Sequence, residues 1–542
     1  MKKLLALSVL LLGTLQAQNL DSLYSEFLRI KGVPDPANTR VLGDNKEPVK
    51  CSFGIVNSIK SNFSRFTPKQ KSVLAALVQR PTTDTSFVSP SGKFRIHFNK
   101  TGSNAPGYDL KEFAKAADSS YNYEVNILKY PAPPADNGLG GDDRCDIYIQ
   151  DLGYGSYGET VMDENDKSKG PSFIKIENDF AGCSTSGIPA ASVTIAHELH
   201  HAIQMGNYIY RGQDEFYYEI TSTAMEEFVF DEVNDYYAYL KSSSSYFHNT
   251  GKALAMNSGY NLAIWNIFLK DQFGFDVLKK IWEEMPNMRA VEAFSKVLLD
   301  YGSSLKVEFN RFGLWCYFTN ARAIPGKYFE EAANYPLVTT TMAMDFSRPT
   351  TTIKISTEPV SNNFYEFIDG NNRLFSIITN VDIQNSVNSP TTKISLDYSV
   401  STEASSGFRK LNPNYNYYSK ISSQDLSLLA ETNILNDIAL NVGEVSVETA
   451  GYAYPQPFKY SEHQYLFLPA NLNGGGNVDL YIYSADMNLV YSGQKRIVAT
   501  EKIVVPWDVK DSNQRKLATG VYFYVIKCGE DILKGKFVIY ND

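Results

Sequence analysis

Hydrophobic and polar positions change their period along the 542-residue chain, and these changes divide it into segments. Up to residue 89, two amphipathic helices are predicted, one near residues 20–30 and one that begins at Thr67. The second helix has Pro68 in its first turn and Gln70 in a capping-box position before its apolar residues. We call residues 18–89 the leading segment, which is either a propeptide or an N-terminal part of the fold.

Residues 90–336 combine strands with helices. Three segments have strand patterns and precede the long helices: residues 94–98, 145–150 and 172–176. Residues 109–121 have a helical pattern, and after residue 219 the pattern is mostly helical to about residue 318. This order predicts an α+β domain over residues 90–336.

Short alternating runs between turn residues dominate from residue 337 onward and predict all-β sandwich domains. A further segment starts near residue 454, so we expect one β-sandwich domain at 337–453 and another at 454–542. Residues 337–453 carry no recognisable catalytic constellation, and we interpret them as a spacer or interaction module. The predicted fold is therefore multidomain, an α+β domain followed by all-β sandwiches.

Residues 1–17 have the pattern of a signal peptide. Lys2 and Lys3 precede a short apolar stretch, and Ala17 ends a small-residue cleavage site. That stretch is too short to span a bilayer, and no other segment approaches the roughly 18 apolar residues of a membrane span. We therefore expect an exported protein without a transmembrane segment in its mature chain. The net charge of −9, with no basic run, argues against a nucleic-acid partner.

An H-E-x-x-H motif, formed by residues 197–201, lies in a helical pattern over residues 188–206. His197 and His201 project from one helix face and can bind a single ion, while Glu198 can reach a ligand of that ion. Three of the six histidines of the chain lie in this motif. Two neutral imidazoles and a carboxylate suit Zn²⁺, with a fourth position open for water. His200 points away from that face, and we interpret it as a hydrogen-bonded packing residue.

The third ligand is expected on the next helix. A third His at the metzincin spacing is absent, which leaves the gluzincin arrangement, with a Glu from a second helix. Residues 215–227 predict that helix, and its small residues would let it approach the first one closely. Glu219 is the preferred ligand, because Glu226 and Glu227 lie about two turns further along and are expected to face water.

The motif and the residues after it resemble a family of secreted bacterial metallopeptidases of gluzincin, or thermolysin-like, type. The matching runs are HELHHAIQ, YEITSTAMEE and VNDYYAYL, against the family pattern H-E-[FL]-x-H-A-I-Q, E-G-T-A-x-W-x-E and an N-D-Y-Y-like run. The match places the family's ligand Glu on Glu219 and its Thr-Ala on Thr223 and Ala224, although the chain lacks the family's Gly and Trp. The resemblance covers roughly residues 94–285 and implies a zincin-like fold, with an edge strand along the cleft, and zinc peptidase activity.

Residues 454–542 resemble the C-terminal β-sandwich domains that serve as sorting signals in type IX secretion. The resemblance is carried by four motifs: Pro455-Gln456-Pro457-Phe458, Trp507-Asp508, Gly520-Val521-Tyr522 and Gly535-Lys536. It implies the type IX secretion machinery as a partner and export through the periplasm to the cell surface or the medium. Gln456 and Val509 depart from the usual motifs, and a purely structural immunoglobulin-like domain is the alternative.

Two further groups of side chains have alternative interpretations. Gluzincins stabilise the oxyanion opposite the general base with a Tyr or His, and Tyr260 or His248 could do so here. The acidic residues Asp142, Asp143 and Asp146 could hold Ca²⁺ or form a solvated turn.

The five cysteines are an odd number for an exported chain: Cys51, Cys145, Cys183, Cys316 and Cys528. Cys145 and Cys183 could form a disulfide, although the sequence does not fix the pairing. Cys51 could cap the zinc and keep an enzyme latent, but no motif around it supports this.

The sequence thus predicts a secreted zinc metallopeptidase, an endopeptidase acting on proteins or peptides. In this hypothesis His197, His201 and Glu219 bind Zn²⁺ and Glu198 is the general base. The alternative is a catalytically silent extracellular adhesion or binding protein with a structural zinc. A closed structural site would need a further Cys or His, and none is expected nearby.

Overall fold

The computed structural model describes most of the chain after the predicted signal peptide. The described residues are 20–34, 50–369, 372–404, 408–410, 417–423, 438–446, 448–449, 452–470, 477–499, 502–528 and 531–541. They form two compact units. The first contains the chain up to residue 239 together with residues 257–301, and the second contains residues 240–256 and the chain from residue 302 onward.

The first unit is built on a five-stranded sheet with the strand order β1-β2-β3-β5-β4. The strands are β1 (Thr85–Val88), β2 (Phe94–Phe98), β3 (Cys145–Gln150), β4 (Gly158–Met162) and β5 (Ser172–Glu177). The three central strands are parallel, whereas β1 and β4 pair antiparallel at the two edges. The three predicted strands are confirmed as β2, β3 and β5, and the sequence missed both edge strands, β1 and β4.

Helices of the first unit cover the sheet and continue beyond it. They are α1 (residues 20–30), α2 (Phe53–Ser61), α3 (Pro68–Val78), α4 (Leu110–Tyr121), α5 (Gly187–Asn207), α6 (Glu215–Val229), α8 (Ala263–Phe273), α9 (Asp276–Glu284) and α10 (Ala290–Asp300). A short helix, α7 (Tyr237–Lys241), lies where the chain passes from the first unit to the second. The predicted motif helix is α5 and the predicted ligand helix is α6.

Local sequence explains several of these boundaries. The capping box predicted for α3 is present, since Thr67 and Gln70 bond each other's backbone N–H groups. Asp109 caps α4 by accepting from the backbone N–H groups of Lys111 and Glu112. Helix α5 has almost no exposed face, because its residues from 190 to 206 are all buried. Such a helix belongs in the interior of a domain.

The leading segment packs on one face of the sheet. Phe27, Val56 and Ile59 are fully buried in an apolar cluster that also contains Val161 of β4 and Phe173 of β5. Because of this cover, every residue of β4 is buried although the strand lies at the edge of the sheet. The described part of the leading segment therefore covers one face of the sheet, and its assignment as a propeptide or as part of the fold stays a prediction.

The second unit contains one further long helix and two pairs of sheets. Helix α11 (Leu305–Tyr317) packs on the first pair, whose strands are β6 (Met342–Asp345), β7 (Thr350–Thr357), β8 (Ser361–Asp369), β9 (Asn372–Asn380), β10 (Ile394–Ser401), β11 (Arg409–Lys410), β12 (Tyr418–Ser423) and β13 (Ile438–Ser446), with α12 (Ile383–Asn388) between β9 and β10. Tyr317 stacks on Phe375 with ring centroids 4.2 Å apart. An apolar core that includes Phe367 and Tyr398 fills this pair of sheets.

The second pair of sheets closes around its own apolar core, in which Trp507 is fully buried. Its strands are β14 (Glu448–Thr449), β15 (Leu466–Pro469), β16 (Asn477–Ser484), β17 (Leu489–Arg496), β18 (Val498–Ala499), β19 (Lys502–Trp507), β20 (Gly520–Cys528) and β21 (Asp531–Ile539). The chain thus has a multidomain α+β architecture, with a sheet and most of the described helices in its N-terminal part and mainly β-strands after residue 337. The domain boundaries drawn from sequence stay predictions.

The predicted signal peptide, residues 1–17, lies outside the described residues. Within the part that the structure describes, no helix combines the length and apolar character needed to cross a bilayer.

Candidate metal centre

Helices α5 and α6 bring the three predicted ligands together. The Nε2 atoms of His197 and His201 face each other 3.0 Å apart. Oε2 of Glu219 lies 3.2 Å from Nε2 of His197 and 3.6 Å from Nε2 of His201. All three side chains are buried. The four-residue spacing of the two histidines on α5 and the position of Glu219 on α6 therefore place three donor atoms around one point.

Cys51 of the leading segment is the fourth member of this group. Its Sγ atom and the donor atoms of His197, His201 and Glu219 all lie within 4.8 Å of one another. Among the described residues this is the one group of His, Cys, Asp or Glu side chains spaced to hold a metal ion. The expectation that no further Cys or His lies near the motif is wrong, because the fold brings Cys51 to a backbone bridge with Gly158 of β4.

A second observation, made on Glu219 and not on the motif, also indicates that these residues fit a metal ion. Both carboxylate oxygens of Glu219 are buried, and neither has a hydrogen-bond partner among the described residues. Burial by itself raises the pKa of Glu219, but the two neighbouring histidines lower it to about 2. A buried carboxylate whose oxygens make no well-formed hydrogen bond is costly unless positive charge compensates it, and a metal ion between Glu219 and the two histidines would supply that charge. Two imidazoles, a carboxylate and a thiol form a donor set typical of divalent transition-metal sites.

A second layer of residues orients the histidines. Oε1 of Glu226 lies 2.8 Å from Nδ1 of His197, and its Oε2 accepts from Lys50 Nζ at 2.7 Å. On His201, Nδ1 lies 2.8 Å from Oε1 of Gln204 and 3.1 Å from Oγ of Ser222. Such partners fix the ring orientation and the tautomer of ligand histidines.

The expectation that Glu226 faces water is wrong. Glu226 is fully buried, and its charge is compensated by Lys50, which also donates to Asp235 Oδ2 at 2.7 Å. Burial alone would lower the pKa of the Lys50 ammonium, but Asp235 and Glu226 hold it well above its usual value. Glu227 is also buried. From the sequence, the adjacent charges of Glu226 and Glu227 suggested a solvated face of α6. Their sequence neighbours gave no sign of burial, because neither Lys50 nor Asp235 adjoins the pair.

Glu198 lies beside this group without belonging to it. Its Oε2 accepts from Oγ1 of Thr160 at 2.7 Å, and its buried Oε1 makes no well-formed hydrogen bond among the described residues. Burial raises the pKa of Glu198, and the charges of His197 and His201, together with the nearby Cys51 thiol, oppose that rise. A Cβ atom at Gly158 would lie 2.7 Å from Oε1 of Glu198, so the close approach of β4 to this carboxylate requires glycine.

His200 is a packing residue, as predicted. Its Nδ1 lies 2.8 Å from Oε2 of the buried Glu124. This contact is on the side of α5 away from Cys51, His197, His201 and Glu219, which we call the metal group. The hydroxyl of Tyr260 donates to the backbone carbonyl of Cys51 at 3.1 Å, and its ring stacks on His197 with centroids 6.1 Å apart. His248, in the second unit, lies 2.9 Å from Oγ of Ser245. Of the two oxyanion candidates, Tyr260 belongs to the same unit as His197 and contacts its ring.

In the acidic cluster suggested for Ca²⁺, Asp142 and Asp146 are paired with arginine side chains. Asp142 accepts from Arg95 and Arg144, while Asp146 accepts from Arg80 and bonds His97. These side chains supply the positive charge there, so the calcium alternative loses its support.

The suggested disulfide between Cys145 and Cys183 is absent. Cys51, Cys145, Cys183 and Cys316 are all free thiols. Cys145 begins β3, whereas the thiol of Cys183 donates to the backbone carbonyl of Ser156 at 3.4 Å in the loop before α5. The side chain of Cys528 lies outside what the structure describes.

Comparison with known proteins adds little. No protein-family model matches the chain, and no curated protein matches it. Among solved structures, it is similar to PorZ, an essential bacterial surface component of the type IX secretion system of Porphyromonas gingivalis, with 13% identity and a TM-score of 0.15 over 33% of this chain and 30% of that one. It is also similar to dimeric latent PorU from the same organism, with 14% identity and a TM-score of 0.14 over 32% of this chain and 19% of that one. The chain spans less than a third of either structure, and TM-scores this low carry no conclusion.

Proposed function

We propose that the chain is a secreted zinc-dependent endopeptidase whose first unit is a zincin-like catalytic domain. The carrying observation is Glu198, a buried carboxylate with one unpartnered oxygen directly beside the His197, His201 and Glu219 donors. A site built only to hold a metal has no use for this second carboxylate. Leaving it buried and half-satisfied costs stability, which favours a chemical role.

Zn²⁺ fits the donor set best, because it accepts nitrogen, oxygen and sulfur ligands in one small site. Bound by His197, His201 and Glu219, zinc would acidify a water molecule and polarise the scissile carbonyl. Glu198 would accept the proton of that water and deliver it to the leaving amine. Thr160 holds one oxygen of Glu198 and leaves the other free for this transfer.

The surrounding residues hold the site in place. Glu226 orients the ring of His197, and Gln204 and Ser222 orient that of His201. Tyr260 is the candidate for stabilising negative charge on the substrate oxygen, because its ring lies against His197. Its hydroxyl would first have to leave the carbonyl of Cys51.

The substrate is proposed to be a polypeptide in an extended conformation. Strand β4 is an edge strand, and Thr160 of this strand bonds the proposed base. Main-chain hydrogen bonds to a sheet edge bind extended peptides irrespective of most side chains. An edge beside the base would therefore present a peptide bond to Glu198.

We assign residues 454–542 the role of a type IX secretion sorting domain. Support comes from the four sequence motifs and from the closed apolar core that these residues form around Trp507. In this proposal the type IX machinery is the export partner, and the protein reaches the cell surface or the medium through the periplasm.

The second candidate function is a catalytically silent extracellular binding protein with a structural zinc. Cys51 favours it, because structural zinc sites have four protein ligands and no open position. Digestion of casein and of a peptide library by the purified full chain, with and without a chelator, separates the two. Chelator-sensitive cleavage supports the peptidase. Absence of cleavage under every condition, including in variants that lack the Cys51 thiol, would favour the structural alternative.

A further inference from the structure

Residues 50–57 of the leading segment lie along the outer edge of β4. Tyr157 N donates to Lys50 O at 2.8 Å, and Ser52 N donates to Gly158 O at 3.4 Å. The side chain of Asn57 continues this pairing, since its Nδ2 donates to Thr160 O at 2.8 Å and its Oδ1 accepts from Met162 N at 3.0 Å. We call residues 50–57 the edge segment.

The edge segment uses the groups that an incoming peptide would need. An extended ligand adds to a sheet edge by bonding outward-facing backbone groups. Here Gly158 O, Thr160 O and Met162 N, on alternate residues of β4, already bond Ser52 and Asn57. No peptide can pair with these groups while the edge segment is in place.

The edge segment also places Cys51 in the metal group. The thiol is buried and lies with the donor atoms of His197, His201 and Glu219 inside 4.8 Å. The oxygens of Glu219 make no well-formed hydrogen bond among the described residues, which fits a cation at this point. Phe53 fixes the register, because its ring stacks on that of His201 with centroids 3.8 Å apart and planes 3° from parallel. On metal binding the thiol would release its proton to solvent, and the resulting thiolate would be a fourth ligand in the position that a water would otherwise take.

Buried charges hold the leading segment in this position. Lys50 is paired with Glu226 and Asp235, and Lys31 is paired with the buried Glu159 of β4. Removing one partner of such pairs leaves an uncompensated charge in the interior, so spontaneous release is costly. Departure of the edge segment therefore requires an activating event that removes or displaces it.

We propose that Cys51 is the fourth metal ligand and that the edge segment keeps the enzyme latent by filling both the open metal position and the peptide-binding edge of β4. The ligand assignment stands on the geometry alone, whereas the latency rests on the proposed peptidase function. Its regulation is thus intramolecular, and the activating reaction is a peptide-bond cleavage or displacement that frees residues 50–57.

X-ray absorption at the zinc edge of the purified full chain tests the ligand assignment without any variant. One sulfur neighbour beside nitrogen and oxygen neighbours is expected. A shell of nitrogen and oxygen alone overturns the assignment and the latency with it. Cobalt substitution gives a second measurement, since a thiolate ligand adds a charge-transfer band in the near ultraviolet. Cys51→Ala should lose this band with the metal still bound, whereas the control Cys183→Ala, a cysteine outside the group, should keep it.

Peptide turnover by the full chain tests the latency. Cys51→Ala opens the metal position, and Asn57→Leu removes the side chain that occupies Thr160 and Met162. A double variant is expected to cleave at least about tenfold faster than the parent, because the fraction of molecules with an open site rises. Cys183→Ala should cleave at the parental rate. Equal turnover by the parent and the double variant overturns the latency but leaves the peptidase function intact. A sulfur neighbour together with no cleavage by any form overturns both the latency and the peptidase, and retains Cys51 as ligand of a structural zinc.

Discussion

Glu226 joins Lys50 of the leading segment to the metal group. One of its carboxylate oxygens lies 2.7 Å from Lys50 Nζ and the other lies 2.8 Å from His197 Nδ1. The same carboxylate therefore orients a ligand on α5 and anchors the segment that carries Cys51. Substitution of Glu226 should therefore weaken both the binding of the metal and the attachment of the leading segment.

Glu226→Gln should weaken metal binding without abolishing it. The amide would direct hydrogen-bond donors toward Lys50 or His197, which are themselves donors, so one of the two contacts is lost. Loss of an outer-shell partner of a ligand histidine typically weakens metal affinity about 10–100-fold. Competition with a chelator of known affinity measures the change. Affinity equal to that of the parent would show that Glu226 does not orient His197.

Glu219→Ala should lose the metal. The substitution removes the one carboxylate among the four donors, so the remaining two imidazoles and the Cys51 sulfur hold the ion with one ligand fewer and without the negative charge of Glu219. Metal analysis after dialysis checks this, with Glu227→Gln on the same helix as the matched control that keeps the metal. A full equivalent of zinc in the Glu219 variant would reject its assignment as a ligand.

Several features could be predicted from sequence because they depend on neighbours along the chain. The spacing of His197 and His201 is local to one helix, and the capping box of Thr67 and Gln70 is local to one turn. Glu219 could be chosen because α6 follows α5 after a short connection. The strands β2, β3 and β5 carry regular apolar patterns, which predict strands directly.

The remaining features depend on contacts between distant parts of the chain. Cys51 reaches the metal group only through the pairing of the edge segment with β4, and no pattern around Cys51 encodes that pairing. Strand β4 itself was missed because Glu159 and Thr160 break its apolar character. Glu159 is nevertheless fully buried, since Lys31 and Lys175 compensate its charge from other elements. A single sequence does not identify such partners.

The Glu159 carboxylate predicts a pH dependence of stability. Burial alone would raise its pKa, but Lys175 and Lys31 lower it from 4.5 to about 2. A depressed carboxyl pKa contributes stability above the unfolded value, and that contribution is lost as the pH falls from about 4.5 to about 2. The shift corresponds to about 3 kcal/mol. Glu159→Gln should therefore be less stable than the parent at neutral pH, and the gap in denaturant unfolding should close toward pH 2. A gap that stays constant over this range would exclude the ion pairs as its cause.

Deletion of residues 454–542 should block export without abolishing catalysis. These residues have their own apolar core around Trp507, and the four candidate metal donors all lie outside them. The truncated chain should accumulate in the periplasm, as immunoblots of cell fractions would show, with its metal still bound. Release into the medium at the normal level would leave this domain with a structural role only.

Glu198→Gln separates the peptidase from the structural-zinc alternative. Glutamine keeps the size of the side chain and can still accept from Thr160, so the variant should fold and bind zinc about as tightly as the parent. It lacks the basic carboxylate, and general acid–base groups typically contribute about 10²–10⁴-fold to the rate. Because latency would mask this loss, turnover is best compared in the Cys51→Ala and Asn57→Leu background, with zinc content measured in the same samples. A fall of at least about 10²-fold at equal zinc content identifies Glu198 as the base. Equal, chelator-sensitive cleavage with and without the substitution would assign proton transfer to another group and leave the unpartnered oxygen of Glu198 without a catalytic explanation.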